Sequence, residues 1–215
     1  MIVHHLNNSR SQRILWLLEE LGAPYTIKHY QRDPRTMLAP PELRSIHPLG
    51  KSPVLTDGNL TLAESGAIIE YLCERFGKLG SSDRQRFIYW LHYAEGSLMP
   101  PLLVRLITGV IRRKSPWPVR PIANAIAAKI ETGFVDPNVK THLGFIEGEL
   151  SKATWFCGDA FSAADIMMSF PLEAAAARHL VDSSYPKILA FLERIHARPA
   201  YQLALSKGGP YDLLN

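Results

Sequence analysis

The chain has 215 residues, of which 47% are hydrophobic and 20% charged, a balance typical of a folded globular protein with one large or two small domains. Its net charge of +4 is small, and its densest basic run, residues 112–114, ends an apolar stretch as cations at a helix end do, so we expect no binding to nucleic acid. No run approaches 18 uncharged apolar residues and the opening residues do not resemble a signal peptide, so we expect no membrane span and a cytoplasmic location.

The first part of the chain alternates between strand and helix patterns. A β-type run at residues 2–6 precedes helical periodicity over residues 11–21, which Gly22 and Pro24 end. Residues 25–30 alternate as a second strand does. Strand, helix and strand in this order predict a parallel pair with a right-handed crossover.

A hairpin and a helix follow a proline-rich loop, which has room for one or two helical turns near residues 42–46. Two short strands, at residues 54–56 and 60–62, flank Asp57-Gly58, a pair typical of two-residue hairpin turns. A helix is predicted over residues 65–76. The residues Glu64 and Ser65 stand at its start, where backbone amides favour a carboxylate ligand.

After a Gly/Ser-rich linker at residues 77–83, the pattern is helical throughout. A long helix from residue 87 is predicted to kink at Pro100-Pro101 and to end before residues 115–118. Helical periodicity resumes over residues 122–150, with irregularities expected near Gly133 and at Asp136-Pro137. Residues 162–165 read as a capping box, and a last helix is predicted over residues 186–198, ended by Pro199.

Several motifs resemble those of the cytosolic glutathione transferases. These are G-K-S-P-V-L and L-x-E-S-x-A-I around the hairpin, H-x-L-x-x-S-R-S-x-R at the first strand–helix junction, and Y-A-E-G-S-L in the long helix. The pattern is most similar to the serine-type fungal and bacterial group. The resemblance implies an α/β thioredoxin-like N-terminal domain, residues 1–78, and an all-α C-terminal domain, residues 84–215, that together make the glutathione transferase architecture.

In that family the backbone beside a cis-proline and a Glu-Ser pair bind glutathione. The resemblance therefore implies a cis bond between Ser52 and Pro53, with Glu64 and Ser65 holding the γ-glutamyl end. Lys51 is a further candidate, because it could pair with a carboxylate of glutathione. Glutathione is thus the expected co-substrate. The two cysteines, residues 73 and 157, lie in no metal or disulfide spacing, and no metal is expected.

Chemistry on glutathione requires an ionised thiol, and a hydroxyl donor or a helix N-terminus lowers the pKa of a thiol. In serine-type members the activating serine lies at the first strand–helix junction, four residues before an arginine, and Ser9 with Arg13 has that spacing. Ser11 is equally hydroxylic but could instead cap the helix, and Asn8 could also donate. Arg13 is expected to pack or pair within its own domain.

A second, hydrophobic substrate would face the thiol from the long helix. The apolar and aromatic candidates are Tyr93, Met99, Leu102, Leu103, Leu106 and Trp117. The same residues could equally form the core or the interface of a homodimer. A dimer is implied by the resemblance and by the many apolar positions in residues 65–76 and 87–111.

The resemblance therefore implies a glutathione S-transferase that conjugates glutathione to hydrophobic electrophiles in detoxification, with peroxidase activity as a second reaction. Two other classes remain open at this point. One is a non-catalytic carrier of glutathione and hydrophobic ligands with the same fold. The other is a redox protein, against which the absence of a cysteine at the first strand–helix junction argues.

Overall fold

The computed structural model describes residues 1–209 and 211 of the chain. Its first part is a four-stranded sheet with three helices, β1 (Ile2–Leu6), α1 (Ser11–Leu21), β2 (Thr26–Tyr30), α2 (Pro41–Ile46), β3 (Val54–Asp57), β4 (Leu60–Ala63) and α3 (Ser65–Phe76). The strand order is β2-β1-β3-β4; β1 and β2 are parallel, and the other neighbours are antiparallel. The thioredoxin-like fold predicted from the sequence is confirmed.

In this part, no predicted strand end differs from the structure by more than one residue. The parallel pair, the hairpin and the helix over residues 65–76 form as the periodicity indicates. The bond between Ser52 and Pro53 is cis. Gly58 has a φ of 58°, in the left-handed region that the tight hairpin turn requires and that glycine adopts at no steric cost.

The second part is helical among the described residues. It contains α4 (Arg84–Tyr93), α5 (Met99–Lys114), α6 (Arg120–Ile130), α7 (Asp136–Lys152), α8 (Ala163–Ala176), α9 (Pro186–His196) and α10 (Pro199–Gly208). Together with the sheet domain they give the expected two-part architecture. The end of the predicted second domain, residues 212–215, lies outside the described residues.

Two π-helical turns interrupt the long helices, each just before a proline. One, at Ala94–Leu98, joins α4 to α5, and the other, at Glu131–Val135, joins α6 to α7. The first was predicted as a kink at Pro100-Pro101 but lies immediately before them. A proline has no N–H to donate to the preceding turn, so the backbone hydrogen-bond pattern changes on the N-terminal side of the proline.

The tenth helix is absent from the sequence prediction. Pro199 was interpreted as the end of α9, but it opens α10, where the missing N–H of proline costs nothing at the first helical position. The new helix packs on α1, and Gly208 at its end lies so close that a Cβ there would collide with the side chain of Gln12. This helix brings Gly208 against the first strand–helix junction.

The start of α8 is a polar site in the helical core whose carboxylate accepts three hydrogen bonds. The buried carboxylate of Asp165 accepts hydrogen bonds from the Phe156 N–H at 2.8 Å, the Ser162 N–H at 2.8 Å and the Ser162 hydroxyl at 3.0 Å. Burial raises the pKa of Asp165 to about 6, against the lowering effect of these bonds. The predicted capping box is confirmed.

The run from Arg84 to Lys114 is the only described helical segment that is long and apolar enough to cross a membrane by length and composition. Core helices of globular proteins pass the same test. Here the run packs against α6 and α8, and part of its apolar face borders the cavities described next.

Candidate functional site

Three adjoining cavities lie where the sheet domain meets the helices. The cis-proline cavity, about 260 Å³, is bordered by residues 51–53 and 63–65. The serine cavity, about 300 Å³, contains Asn8 and Ser9 and shares Lys51 and Ser52 with the first. The apolar cavity, about 370 Å³, is bordered mainly by α5 and α8 and shares Asn8 with the second. An extended ligand could therefore cross from one end to the other.

The cis-proline cavity contains every predicted glutathione-binding residue. Its lining includes Lys51, Ser52, Pro53, Glu64 and Ser65. Glu64 has a φ of 71° and its side chain makes no capping bond to α3. A non-glycine residue in this left-handed region is strained, and such strain is concentrated at functional sites. The backbone conformation leaves the Glu64 carboxylate exposed at the cavity.

A buried arginine joins this cavity to the helical domain. The Arg13 guanidinium donates to the Ser65 hydroxyl at 3.0 Å, to the Glu95 carboxylate at 2.6 Å and to the Met167 carbonyl at 2.8 Å. The prediction that Arg13 packs or pairs within its own domain holds for the bond to Ser65, but the bonds to Glu95 and Met167 cross to the helical domain. Because the Ser65 oxygen accepts from Arg13, its own proton remains available to a ligand carboxylate.

Glu95, from the Y-A-E-G-S-L motif, also bonds Arg10 at 3.0 Å. Burial opposes ionisation of Glu95, but the two guanidinium groups together hold its pKa below the ordinary value. One carboxylate thus balances two arginines. No local sequence pattern indicates this pairing, since the partners are more than eighty positions apart.

In the serine cavity, Ser9 and Asn8 are lining residues, and Ser11 is not. Ser11 is fully buried, and the residue at the cap position of α1 is Arg10, without a side-chain capping bond. The interpretation of Ser11 as the helix cap is therefore wrong. Its burial also keeps its hydroxyl away from a ligand in the cavity.

Ser11 belongs to a buried chain of hydrogen bonds that leads away from the cavity. The oxygens of Ser9 and Ser11 are 2.7 Å apart, Ser11 Oγ is 2.8 Å from His5 Nδ1, and His5 Nε2 is 3.0 Å from the Gly208 carbonyl oxygen. Burial, with a contribution from His29, lowers the pKa of His5 to about 4, so the ring is neutral at neutral pH.

The donor and acceptor in each of these hydrogen bonds follow from the last group in the series, the Gly208 carbonyl. A carbonyl can only accept, so His5 Nε2 carries the proton and Nδ1 accepts from Ser11. The single proton of Ser11 is thereby committed, and the bond between the two serines must be donated by Ser9. Without a ligand, the Ser9 proton points inward. Sequence reasoning missed His5 because its partner Gly208 belongs to the unpredicted helix α10.

The apolar cavity contains four of the six predicted hydrophobic-substrate residues, namely Met99, Leu102, Leu103 and Leu106. Tyr93 and Trp117 do not line it. Tyr93 is buried among aromatic rings and its hydroxyl is 2.6 Å from His142 Nδ1, while Trp117 is 83% exposed beyond the end of α5. Tyr93 supports the core, and neither residue faces a ligand in this cavity.

The lining of the apolar cavity includes residues that the sequence did not indicate, namely Arg10, Arg32, Met37, Phe170, Ala174 and Arg178. The Phe170 ring lies 5.0 Å from the Arg10 guanidinium and 5.2 Å from that of Arg13. The periodicity of α8 places Phe170 on a helix but does not show which way the ring faces. Among residues 1–209 and 211, no group of three or more His, Cys, Asp or Glu side chains could hold a metal ion.

Two family models match the chain. The model described as the glutathione S-transferase N-terminal domain matches residues 9–75, and the one described as the C-terminal domain matches residues 120–199. The chain is 39% identical over 220 residues to glutathione S-transferase 1 of Saccharomyces cerevisiae, covering 95% of this chain and 94% of that protein. It is 34% identical to glutathione S-transferase 3 of Schizosaccharomyces pombe, covering 96% of this chain and 87% of that protein.

Solved structures agree with this result. A glutathione S-transferase from Actinobacillus pleuropneumoniae superposes with a TM-score of 0.79 at 32% identity, covering 100% of this chain and 95% of that one. A glutathione transferase from Burkholderia graminis, solved with two glutathione molecules bound per subunit, superposes with a TM-score of 0.77 at 25% identity, covering 95% of this chain and 87% of that one.

Proposed function

Because this chain belongs to the glutathione S-transferase family, we propose that its three cavities conjugate glutathione to hydrophobic electrophiles, in the manner of a detoxification enzyme. The chain is a glutathione S-transferase. The observation that carries the finer proposal is the order of the cavities: a polar glutathione site, a serine junction and an apolar site adjoin one another.

Glutathione is proposed to bind in the cis-proline cavity. The Ser65 hydroxyl and the first amides of α3 would hold the γ-glutamyl carboxylate, and the exposed Glu64 carboxylate would pair with the ammonium group. The backbone of Ser52, next to Pro53, would bond the cysteinyl backbone. Lys51 lines both polar cavities and is suited to pair with the glycyl carboxylate.

Ser9 is proposed to activate the thiol. The sulfur would lie in the serine cavity, and the Ser9 hydroxyl would rotate from Ser11 towards it, donating to the thiolate and lowering the pKa of the thiol. Asn8 lines the same cavity and is the second candidate. Ser11, the third, would act only through Ser9, as the residue that competes for the Ser9 proton.

In the proposed reaction the thiolate attacks an electrophilic carbon held in the apolar cavity by Met99, Leu102, Leu103 and Leu106. With an organic peroxide the same thiolate would attack oxygen instead, which is the proposed peroxidase activity. Positioning the two reactants side by side and stabilising the thiolate are the protein's contributions.

The direct test assays the purified protein with glutathione and either 1-chloro-2,4-dinitrobenzene or cumene hydroperoxide. Turnover of either, above the spontaneous rate, supports the proposal. The alternative is a carrier without catalysis. Calorimetric binding of glutathione with no turnover of either substrate would contradict the enzyme and support that alternative.

A homodimer, a cytoplasmic location and the domain bounds 1–78 and 84–215 are further parts of the proposal. Ile68, Ile69 and Leu72 of α3 are buried inside the domain and do not support an interface, whereas Tyr89 of α4 and Ile107 of α5 are 47% and 50% exposed. Both cysteines are free, as in a reducing compartment. Sedimentation should give about twice the chain mass of 24.1 kDa, and a single-chain mass at micromolar concentration would contradict the dimer.

A further inference from the structure

The apolar cavity has an unusual charge for a site that takes hydrophobic compounds. Its lining residues include three arginines, Arg10, Arg32 and Arg178, and among the described residues that border it there is no carboxylate. The rest of the lining is largely apolar, from α5 and α8. The cavity therefore combines an apolar lining with three positively charged side chains.

Two of these arginines lack an acidic partner in the described part of the chain. Arg10 shares Glu95 with Arg13. Arg178 instead donates to the Ala174 carbonyl at 2.6 Å, and the hydrogen bonds of Arg32 go to the carbonyls of residues 7, 8 and 37 and to no carboxylate. No ion pair involving residues 1–209 and 211 includes Arg32 or Arg178.

Such an arrangement favours an anion. Arg32 and Arg178 are half-buried, and burial lowers the pKa of both guanidinium groups, with Arg10 adding repulsion at Arg32. A guanidinium group that has lost water without gaining a counter-charge gains most from a planar carboxylate or similar anion, which it can bind through two hydrogen bonds.

We propose that the second substrate of this enzyme is an amphipathic anion, an electrophile whose carboxylate or equivalent group binds Arg178 and Arg32 while its apolar part lies on α5. The inference rests on the proposed function, since it names the substrate class of the apolar cavity. Arg178 is the main specificity residue because it lines this cavity alone, whereas Arg32 also borders the serine cavity.

A matched pair of chlorinated aromatics isolates the charge. In both 4-chloro-3-nitrobenzoate and 4-chloro-3-nitrobenzamide, the glutathione thiolate attacks the chlorine-bearing carbon. A carbon–sulfur bond forms, chloride leaves with the bonding electrons, and the thiol proton goes to solvent. The two substrates have nearly the same shape and differ in one charge, and division of each kcat/KM by the spontaneous rate constant removes their difference in intrinsic reactivity.

The expected result is a normalised preference for the benzoate of about tenfold or more, because a site with a half-buried cation that lacks a counter-charge discriminates against the analogue without the charge. In Arg178→Met the preference should fall to near unity, with kcat/KM for the benzamide and KM for glutathione little changed. Arg120→Met is the control: Arg120 is exposed at the start of α6 and lines none of the three cavities, so the preference should persist.

A wild-type preference near unity would overturn the inference, as would an equal loss of preference in the control. A rise in KM for glutathione alone in Arg178→Met would overturn it too, by assigning the arginine to glutathione. Binding supplies a second readout that needs no turnover: calorimetry should show the carboxylated S-aryl glutathione product binding more tightly than the carboxamide product, and equal affinities contradict the inference. Failure of the proposed function would give a different result. In that case 1-chloro-2,4-dinitrobenzene, the benzoate and the benzamide would all remain unconjugated, while the carboxylated product would still bind more tightly than the carboxamide product.

Discussion

Two helix starts in this molecule contain serines and have opposite uses. At the start of α8, Ser162 and Asp165 satisfy each other and the neighbouring Phe156 backbone, so every polar group is bonded inside the core. At the start of α1, the Ser11 hydroxyl does not cap the helix, and the Ser9 hydroxyl accepts from the Ser11 N–H at 3.3 Å while also bordering the serine cavity. The polar side chains of the first start are bonded within the core, whereas the second start places the Ser9 hydroxyl beside a cavity.

The difference shows why a capping motif and a candidate active site can look alike in sequence. Both starts read as polar residues ahead of an apolar helix, and only the contacts separate them. At α1 the hydroxyl of Ser9 borders a cavity and its proton has a choice of acceptors, namely Ser11 at 2.7 Å, Ser52 at 3.5 Å or a ligand. At α8 no such choice exists, because the partners of Asp165 are fixed by burial.

The largest expected effect breaks the α8 start. Asp165→Ala leaves two buried backbone N–H groups without an acceptor, which should reduce the free energy of unfolding by about 3 kcal/mol. Urea denaturation measures this, with Asp159→Ala, an exposed position nearby, as the control. The thiol pKa of bound glutathione should not move in Asp165→Ala. A stability close to that of the control would show that the capping box is dispensable.

The same carboxyl group gives the stability a pH dependence of known sign. The pKa of Asp165 is raised to about 6 in the folded protein, so protonation favours folding. Its contribution is present below the ordinary pKa near 4 and is lost as the pH rises to about 6. Replacement by alanine should remove this dependence between pH 4 and 6, and an unchanged profile would contradict the assignment.

The start of α3 sharpens the comparison, because there a carboxylate faces a cavity instead of its own helix. Glu64→Ala should weaken glutathione binding more than tenfold, or by about 1.4 kcal/mol, through loss of the pairing with the ammonium group. Stability should change little, since Glu64 makes no capping bond. Calorimetry measures the affinity, and Glu74→Ala on the exposed face of the same helix is the control. Equal affinities in the two variants would exclude Glu64 from the site.

The sequence predicted what depends on local pattern. The hairpin at Gly58, the helix opened by Ser65 and the capping box at Asp165 each have a residue signature that acts over a few positions, and each forms as expected. Helix α10 was missed because Pro199 suits both the end of one helix and the start of the next. The pairing of Arg13 with Glu95 joins distant segments and has no local signature.

In the candidate site, too, features with a local sequence signature could be predicted and contacts between distant segments could not. Glu64 and Ser65 could be found from a motif, whereas the positive charge of the apolar cavity depends on Arg32 and Arg178, which are far apart in sequence. The interpretation of Ser11 as a helix cap was wrong for a related reason. The Ser11 hydroxyl bonds His5, and the bond that orients the His5 ring comes from the unpredicted α10.

The smallest expected effect tests the central claim, that Ser9 activates the thiol while Ser11 competes for its proton. Ser9→Ala removes the donor, so the pKa of the bound thiol should rise by about half a unit to one unit. Ser11→Ala removes the competing acceptor, so the Ser9 hydroxyl can donate to the thiolate without first giving up its bond to Ser11. The pKa of the bound thiol should therefore fall or remain unchanged.

Titration of the ultraviolet thiolate band of bound glutathione in the wild type and both variants measures this directly. The account predicts an upward shift in Ser9→Ala, with lower turnover and nearly unchanged glutathione affinity, and no upward shift in Ser11→Ala. An upward shift in Ser11→Ala alone would transfer the role to Ser11, and no shift in Ser9→Ala would contradict the claim and leave activation to Asn8 or the amides of α1.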